Sequence, residues 1–325
     1  MTLNTMTKPI LGVSKCLEFD NCRYDGKMIA NDFVRKLKDH VDFVPVCPEM
    51  GIGLGNPRPP IRLVKIGGEK NLYQPSSDEN LTQKMNEFSK EFLDNLKVLD
   101  GFILKHSSPT CGVRNVKLYH KIGKAVGYDQ TNGIFTEMVL KKFPYIIVED
   151  EARLRNPVLR DSFLTRVYTM TRLRDALESK DSLIQYCKDN KMLFMCYDES
   201  GPKRLEEILT QFSEEGFEEK FIVSVYGILN KIPSADALNS TYVYIYSLLE
   251  DKLTMPEKEY FREMIKDFSQ GLVLPSQVST LLYSWALRFE ATSIISQTIF
   301  EPYPKRLMPI SSESRTYSLI DYKKS

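Results

Sequence analysis

The chain has 325 residues, 42% of them hydrophobic and 27% charged, with 44 Lys and Arg against 43 Asp and Glu and a formal net charge of +1. That is an ordinary globular composition, and it excludes a protein that holds nucleic acid by bulk charge alone. No apolar stretch approaches a membrane span and Met1 to Lys8 lacks the apolar core of a signal peptide, so a cytoplasmic protein with no membrane partner is expected.

In chain order, Pro9 to Ser14 is an apolar run that reads as a strand, followed by a polar loop to Gly26 and a helix near Ile29 to Asp39. Asp42 to Val46 is a second strand. Pro48 to Pro75 is rich in Gly and Pro and reads as a long irregular segment. Ser76 to Val98 has helical periodicity, with Ser77 or Asp78 available as its cap. Strands at Gly101 to Lys105 and Tyr145 to Glu149 flank a helix near Ile134 to Lys142. Strands alternating with helices predict a Rossmann-like, doubly wound, mostly parallel α/β sheet.

From Pro157 the pattern is helical throughout, with segments at 161–179, 182–197, 203–213, 218–230, 235–250, 256–270 and 277–290. Pro202, Pro233, Pro256 and Pro275 fall near helix starts, where a missing N–H costs nothing. The expected organisation is an α/β domain over 1–156, an all-helical domain over 157–309 and a polar tail over 310–325. The halves differ in charge: residues 1–160 hold 24 Lys and Arg against 19 Asp and Glu, and residues 161–325 hold 20 against 24. Any phosphate contact must then come from a local face. Arg58, Arg62, Lys65 and Lys105 are candidates near the first sheet, and Arg153, Arg155, Arg160 and Arg166 near the junction, although solvated surface charge explains them equally well.

Cys16, Cys47 and Cys111 each lie where one of the strand-like runs ends. In open parallel sheets ligands bind outside the carboxyl ends of the strands, so three thiolates placed there are suited to converge on one crevice. Three soft ligands with a vacant fourth position suit an iron–sulfur cluster with one exposed iron, or a catalytic zinc. Cys22, Cys187 and Cys196 lack that context and read as structural, Cys22 being the best spare ligand. A structural zinc site fits poorly without paired CxxC spacing, although His106 is close to Cys111. Gly51-Ile52-Gly53-Leu54-Gly55 is no dinucleotide loop, because Pro57, Pro59 and Pro60 follow where a helix ought to begin. A GxSxG nucleophile elbow is also missing. Cys47-Pro48-Glu49 and Ser108-Pro109-Thr110-Cys111-Gly112 each couple a thiol to a proton-handling or hydrogen-bonding neighbour.

Over roughly residues 8–160 the chain resembles the thiouracil desulfidase family. The resemblance rests on Ser14-Lys15-Cys16-Leu17, Cys22-Arg23-Tyr24-Asp25-Gly26, Cys47 to Gly55, Pro57 to Val64 and Ser108 to Gly112. It implies a 4Fe-4S cluster held by Cys16, Cys47 and Cys111 with one iron open, and Glu49 and Ser108 in the catalytic positions. The second half resembles the helical domain fused to this one in a bacterial desulfidase that removes sulfur from 4-thiouridine in tRNA. That likeness is carried by Phe163 to Tyr168, Lys191 to Met195 and Pro302 to Met308. Where that domain usually carries histidines, this chain has Cys187, Asn190-Lys191 and Tyr197.

The resemblance implies non-redox removal of sulfur from a thiolated uracil, with 4-thiouridine in tRNA the leading substrate. A free thiopyrimidine, such as 2-thiouracil, is the alternative, and the helical domain then acts as a lid or dimerisation module. A non-enzymatic sulfur carrier or iron–sulfur sensor is a third reading, and a zinc hydrolase a fourth.

Overall fold

A computed structural model describes residues 7–122 and 127–308. The polar tail expected over 310–325 lies outside them. The chain forms two compact units that meet between Phe163 and Leu164.

The first unit is built on a four-stranded sheet of β1 (Ile10–Ser14), β2 (Asp42–Val46), β6 (Gly101–Leu104) and β9 (Ile147–Asp150), in the order β2-β1-β6-β9 and parallel throughout. β6 is buried at every position, as befits a strand covered on both faces. Gly12 is needed where β1 meets β6, because a Cβ there would stand 2.0 Å from the Phe102 ring. Around this sheet lie α1 (Asp32–Leu37), α2 (Pro48–Gly51), α3 (Thr82–Asp94) and α4 (Ile134–Lys142). The Asn31 side chain accepts the Val34 N–H and fixes the start of α1. Phe102 and Phe135 meet edge to face, joining β6 to α4 in one apolar cluster. This is the expected α/β frame.

The irregular segment expected over 48–75 instead holds two strands of a second sheet. β3 (Arg62–Ile66), β4 (Glu69–Gln74) and β5 (Glu79–Asn80) join β7 (Val116–Tyr119) and β8 (Tyr128–Thr131) in the order β5-β4-β3-β7-β8. Its pairings are antiparallel except β3 with β7. Gly67 and Gly68 close the β3–β4 hairpin with both φ angles positive, at 61° and 87°. The sheet also delays the following helix. α3 begins at Thr82 after Leu81, because Asp78 turns at φ 57° and residues 79–80 pair with β4, so neither Ser77 nor Asp78 caps it.

The second unit is helical, as expected. α5 (Pro157–Ala176) crosses the boundary between the units, and α6 (Lys180–Tyr197), α7 (Gly201–Leu209), α8 (Phe217–Leu229), α9 (Ala235–Ser247), α10 (Met255–Ser269), α11 (Pro275–Arg288) and the short α12 (Thr292–Ile295) follow. Ser179 and Ser234 cap α6 and α9, and Thr254 with Glu257 forms a capping box on α10. One cluster runs through α6 to α11 and includes Phe194, Phe221, Tyr242, Phe268 and Trp285. Arg172, buried in α5, donates to the Pro302 carbonyl at 2.8 Å and to Thr169 Oγ1 at 3.0 Å, and burial pulls its guanidinium down to about 10. Beside it the rings of Tyr168 and Tyr303 stand 6.4 Å apart. The two ends of the unit are joined there. No helix among the described residues is long and apolar enough to cross a membrane.

Candidate active site

A cavity of about 610 Å³ opens at the carboxyl ends of β1, β2 and β6, walled on its other side by Pro59 to Arg62 and Asn115 to Lys117 of the second-sheet region. It lies where the chain order reverses about β1, the switch point of an open parallel sheet. Cys16, Cys47 and Cys111 all line it, and so does Cys22.

Cys16 lies two residues beyond the end of β1. Cys47 follows β2 and is the residue from which α2 starts. Cys111 sits in the loop after β6, where the Thr136 hydroxyl donates to its carbonyl at 2.9 Å. All four thiols are free, and all but Cys47 are buried. They are also coupled. The hydrogen bond from Cys16 pushes the Cys22 thiol up to about 11, Cys22 in turn raises Cys47, and burial takes Cys111 up to about 12. Sequence reasoning reads Cys22 as structural and as the best spare ligand, and the structure places it among the other three.

The donor set is soft and thiol-rich, the kind that takes iron–sulfur clusters. Among the described residues no three His, Cys, Asp or Glu side chains converge closely enough to hold a single metal ion. The four thiols border one cavity.

Glu49 lies in the first turn of α2, two residues after Cys47, and its carboxylate is held from both sides. Oε2 accepts Arg58 Nε at 2.9 Å and Arg58 Nη2, while Oε1 accepts the Thr110 hydroxyl at 2.9 Å and that of Ser108 at 3.4 Å. Ser108 Oγ also accepts the N–H groups of Thr110 and Cys111 at 3.3 and 3.2 Å. Glu49 and Ser108, found from sequence, are therefore brought together. Thr110 and Arg58 complete the arrangement.

Arg58 does not fill the phosphate-binding role for which it was a candidate. Its guanidinium is 3% exposed and also donates through Nη1 to the carbonyls of Cys22 and Gly55, each at 3.0 Å, so it pins the loops of two neighbours. Lys65 pairs with Asp129, Lys105 with Glu151 and Arg153 with Glu149, Arg160 donates to the Leu154 carbonyl, and Arg166 bonds Asn230. Arg62 lines the cavity with its guanidinium over the Tyr119 ring, at 5.5 Å from the centroid. Lys117, on the same wall, lies 4.6 Å from the centroid of Tyr128.

In the helical unit, Cys196 is buried and its thiol meets the Met192 carbonyl. Asn190 is buried too, donating to the Tyr186 carbonyl at 2.8 Å and accepting the Thr298 hydroxyl at 2.7 Å. Cys187 and Tyr197 belong to the same core. At those positions the chain packs its interior.

Residues 11–151 match the family model of the 2-thiouracil desulfurases, and residues 191–304 match a protein family of unknown function, DUF1722. The uncharacterized protein YbbK of Bacillus subtilis is 31% identical over 145 residues, which are 42% of this chain and 93% of that protein. A solved [4Fe-4S]-dependent thiouracil desulfidase, TudS, is 24% identical, with a TM-score of 0.39 over 48% of this chain and 99% of its own. The first unit is thus a desulfurase-type α/β domain with its cysteines at the strand ends. Through it the chain belongs to the 2-thiouracil desulfurase family.

Proposed function

We propose that the protein is an iron–sulfur-dependent, non-redox desulfidase that converts a thiocarbonyl of a thiolated uracil to a carbonyl. One observation carries this reading: Glu49, anchored by Arg58 and bonded to the Ser108 and Thr110 hydroxyls, lies in the same cavity as four free cysteines. Cys16, Cys47 and Cys111 would hold a 4Fe-4S cluster. When bound, that group supplies a soft Lewis acid for the thiocarbonyl sulfur.

The rest of the chemistry falls to the chain. Oε1 of Glu49 takes a proton from water as the water oxygen bonds to the ring carbon. The Ser108 hydroxyl, fixed by its neighbours, donates to the base and hands protons on. The carbon–sulfur bond breaks with its electron pair going to sulfur, and the water protons leave with it as hydrogen sulfide or hydrosulfide. Oxidation states are unchanged.

Within this reading 4-thiouridine in tRNA is the leading substrate. The Arg62–Tyr119 pair and Lys117 on the cavity wall support it, since aromatic faces and cations suit an unstacked nucleotide and its phosphate. Free 2-thiouracil is the second reading, favoured because every cavity residue lies in the first unit, which alone matches the family.

The test is anaerobic reconstitution, followed by the near-ultraviolet band of 4-thiouridine in tRNA with 2-thiouracil alongside. Loss of the tRNA band with sulfide release, absent in Cys47→Ala, supports the lead. Turnover of 2-thiouracil alone moves the substrate to free bases. No turnover of either, with the cluster intact, leaves a sulfur carrier or sensor.

A further inference from the structure

Of the three histidines in the chain, His106 lines the cavity that holds Glu49 and Ser108. Its side chain is 34% exposed, so one ring borders both the cavity and solvent. Its Nδ1 stands 3.3 Å from Oδ2 of Asp150, a fully buried carboxylate. Neither atom has a hydrogen-bond partner among the described residues, so the two face each other alone. The other oxygen of Asp150 accepts the N–H groups of Ala152 and Arg153 at 3.0 and 2.9 Å, which fixes the carboxylate at the end of β9. Parallel pairing of Leu104 with Asp150 then sets it beside the loop that carries His106.

The backbone of His106 is held as well. Its N–H donates to Glu151 Oε2 at 2.6 Å, and Lys105 Nζ donates to its carbonyl at 3.0 Å. Glu151 and Lys105 pair with each other, and the other charged residues that line the cavity with His106 are Lys15, Arg23, Glu49, Arg58, Arg62 and Lys117. Asp150 is left to answer the imidazole. A carboxylate facing Nδ1 favours the tautomer with the proton on that nitrogen and leaves Nε2 as the exchanging position.

We propose that His106, oriented by Asp150, carries protons between the cavity and solvent during desulfurisation. This rests on the function proposed above. In that reaction the attacking water gives up two protons while its oxygen replaces sulfur on the ring carbon, and the departing sulfur takes them up without any transfer of electrons. Glu49 can hold one at a time, and its carboxylate is already engaged by Arg58, Thr110 and Ser108. His106 takes the proton at Nε2, exchanges it with solvent and returns it to sulfur. Asp150 is a positioning residue.

The test uses the full chain with its cluster, His106→Gln and Asp150→Asn, and turnover of tRNA and of 2-thiouracil. In His106→Gln, kcat falls about 10²-fold, while KM and the visible absorption of the cluster stay as in the wild type. Added imidazole restores part of kcat. In Asp150→Asn kcat falls at unchanged KM, because the ring is no longer held in one tautomer. 15N NMR of the His106 ring in that variant shows the proton shifting from Nδ1 toward Nε2, without any turnover. Wild-type kcat in His106→Gln overturns the carrier role, and an unchanged His106 tautomer in Asp150→Asn overturns the pairing. An intact wild-type cluster with no turnover of either substrate is a different failure, that of the functional reading itself.

Discussion

Glu49 shows how the site prepares one carboxylate by occupying most of it. Arg58 holds Oε2 and two hydroxyls hold Oε1, so little freedom is left to lose when water binds. Glu49→Gln is expected to lower kcat by roughly 10²- to 10⁴-fold with the cluster spectrum retained, measured as sulfide release. Thr110→Val removes one hydroxyl and is expected to lower kcat about tenfold at unchanged KM, with Thr110→Ser restoring it. That Cys16, Cys47 and Cys111 border one crevice was legible in the sequence because each ends an apolar run, and Glu49 and Ser108 were singled out through the resemblance. Cys22 was legible only as a spare ligand, since the polar loop that carries it gives no periodicity from which to aim a side chain. Arg58 was misread for a related reason: an arginine among prolines looks exposed until the fold wraps the loop around it. Burial of a charged group depends on partners distant in sequence, here Glu49 and the Cys22 carbonyl.

Among the elements, the helices of the second unit were legible because caps and prolines mark their starts, as Pro256 and Pro275 do for α10 and α11. The second sheet was missed. β3 and β4 are short and half polar and follow a proline-rich stretch, yet Gly67-Gly68 between them is a hairpin signal. Alanine at either glycine is expected to cost about 1–2 kcal/mol in urea denaturation, because both sit at positive φ. A second prediction concerns Asp198, which ends α6 and binds Lys231 at 2.8 Å and Arg204 at 2.9 Å. Those partners hold its carboxyl well below the usual range. A carboxyl depressed by folding contributes stability above its unfolded value, about 3.9, and loses it as pH falls toward the folded one. Asp198→Asn should therefore cost about 1–2 kcal/mol at pH 7, with the difference shrinking below about pH 4, as urea melts across pH would record.

For the whole molecule, the sequence placed the change of pattern at Pro157, whereas the compact units meet between Phe163 and Leu164, inside α5. A helix start is visible in sequence, but the residue at which its packing passes from one core to the other is not. If tRNA is the substrate, its KM should rise steeply with salt as phosphate contacts are screened, while that of free 2-thiouracil stays flat, a comparison made on the intact chain. The second sheet bears on this too. The chain leaves the parallel sheet after Glu49 and again after Cys111, and both excursions return to build the one wall that carries Arg62 and Lys117. The thiols and that wall therefore hang on separate hydrogen-bonded frames. Under the proposed function, exchanges at Arg62 or Lys117 would change which molecule is admitted while the machinery behind it stays in register, so selectivity and chemistry would be free to diverge at different rates.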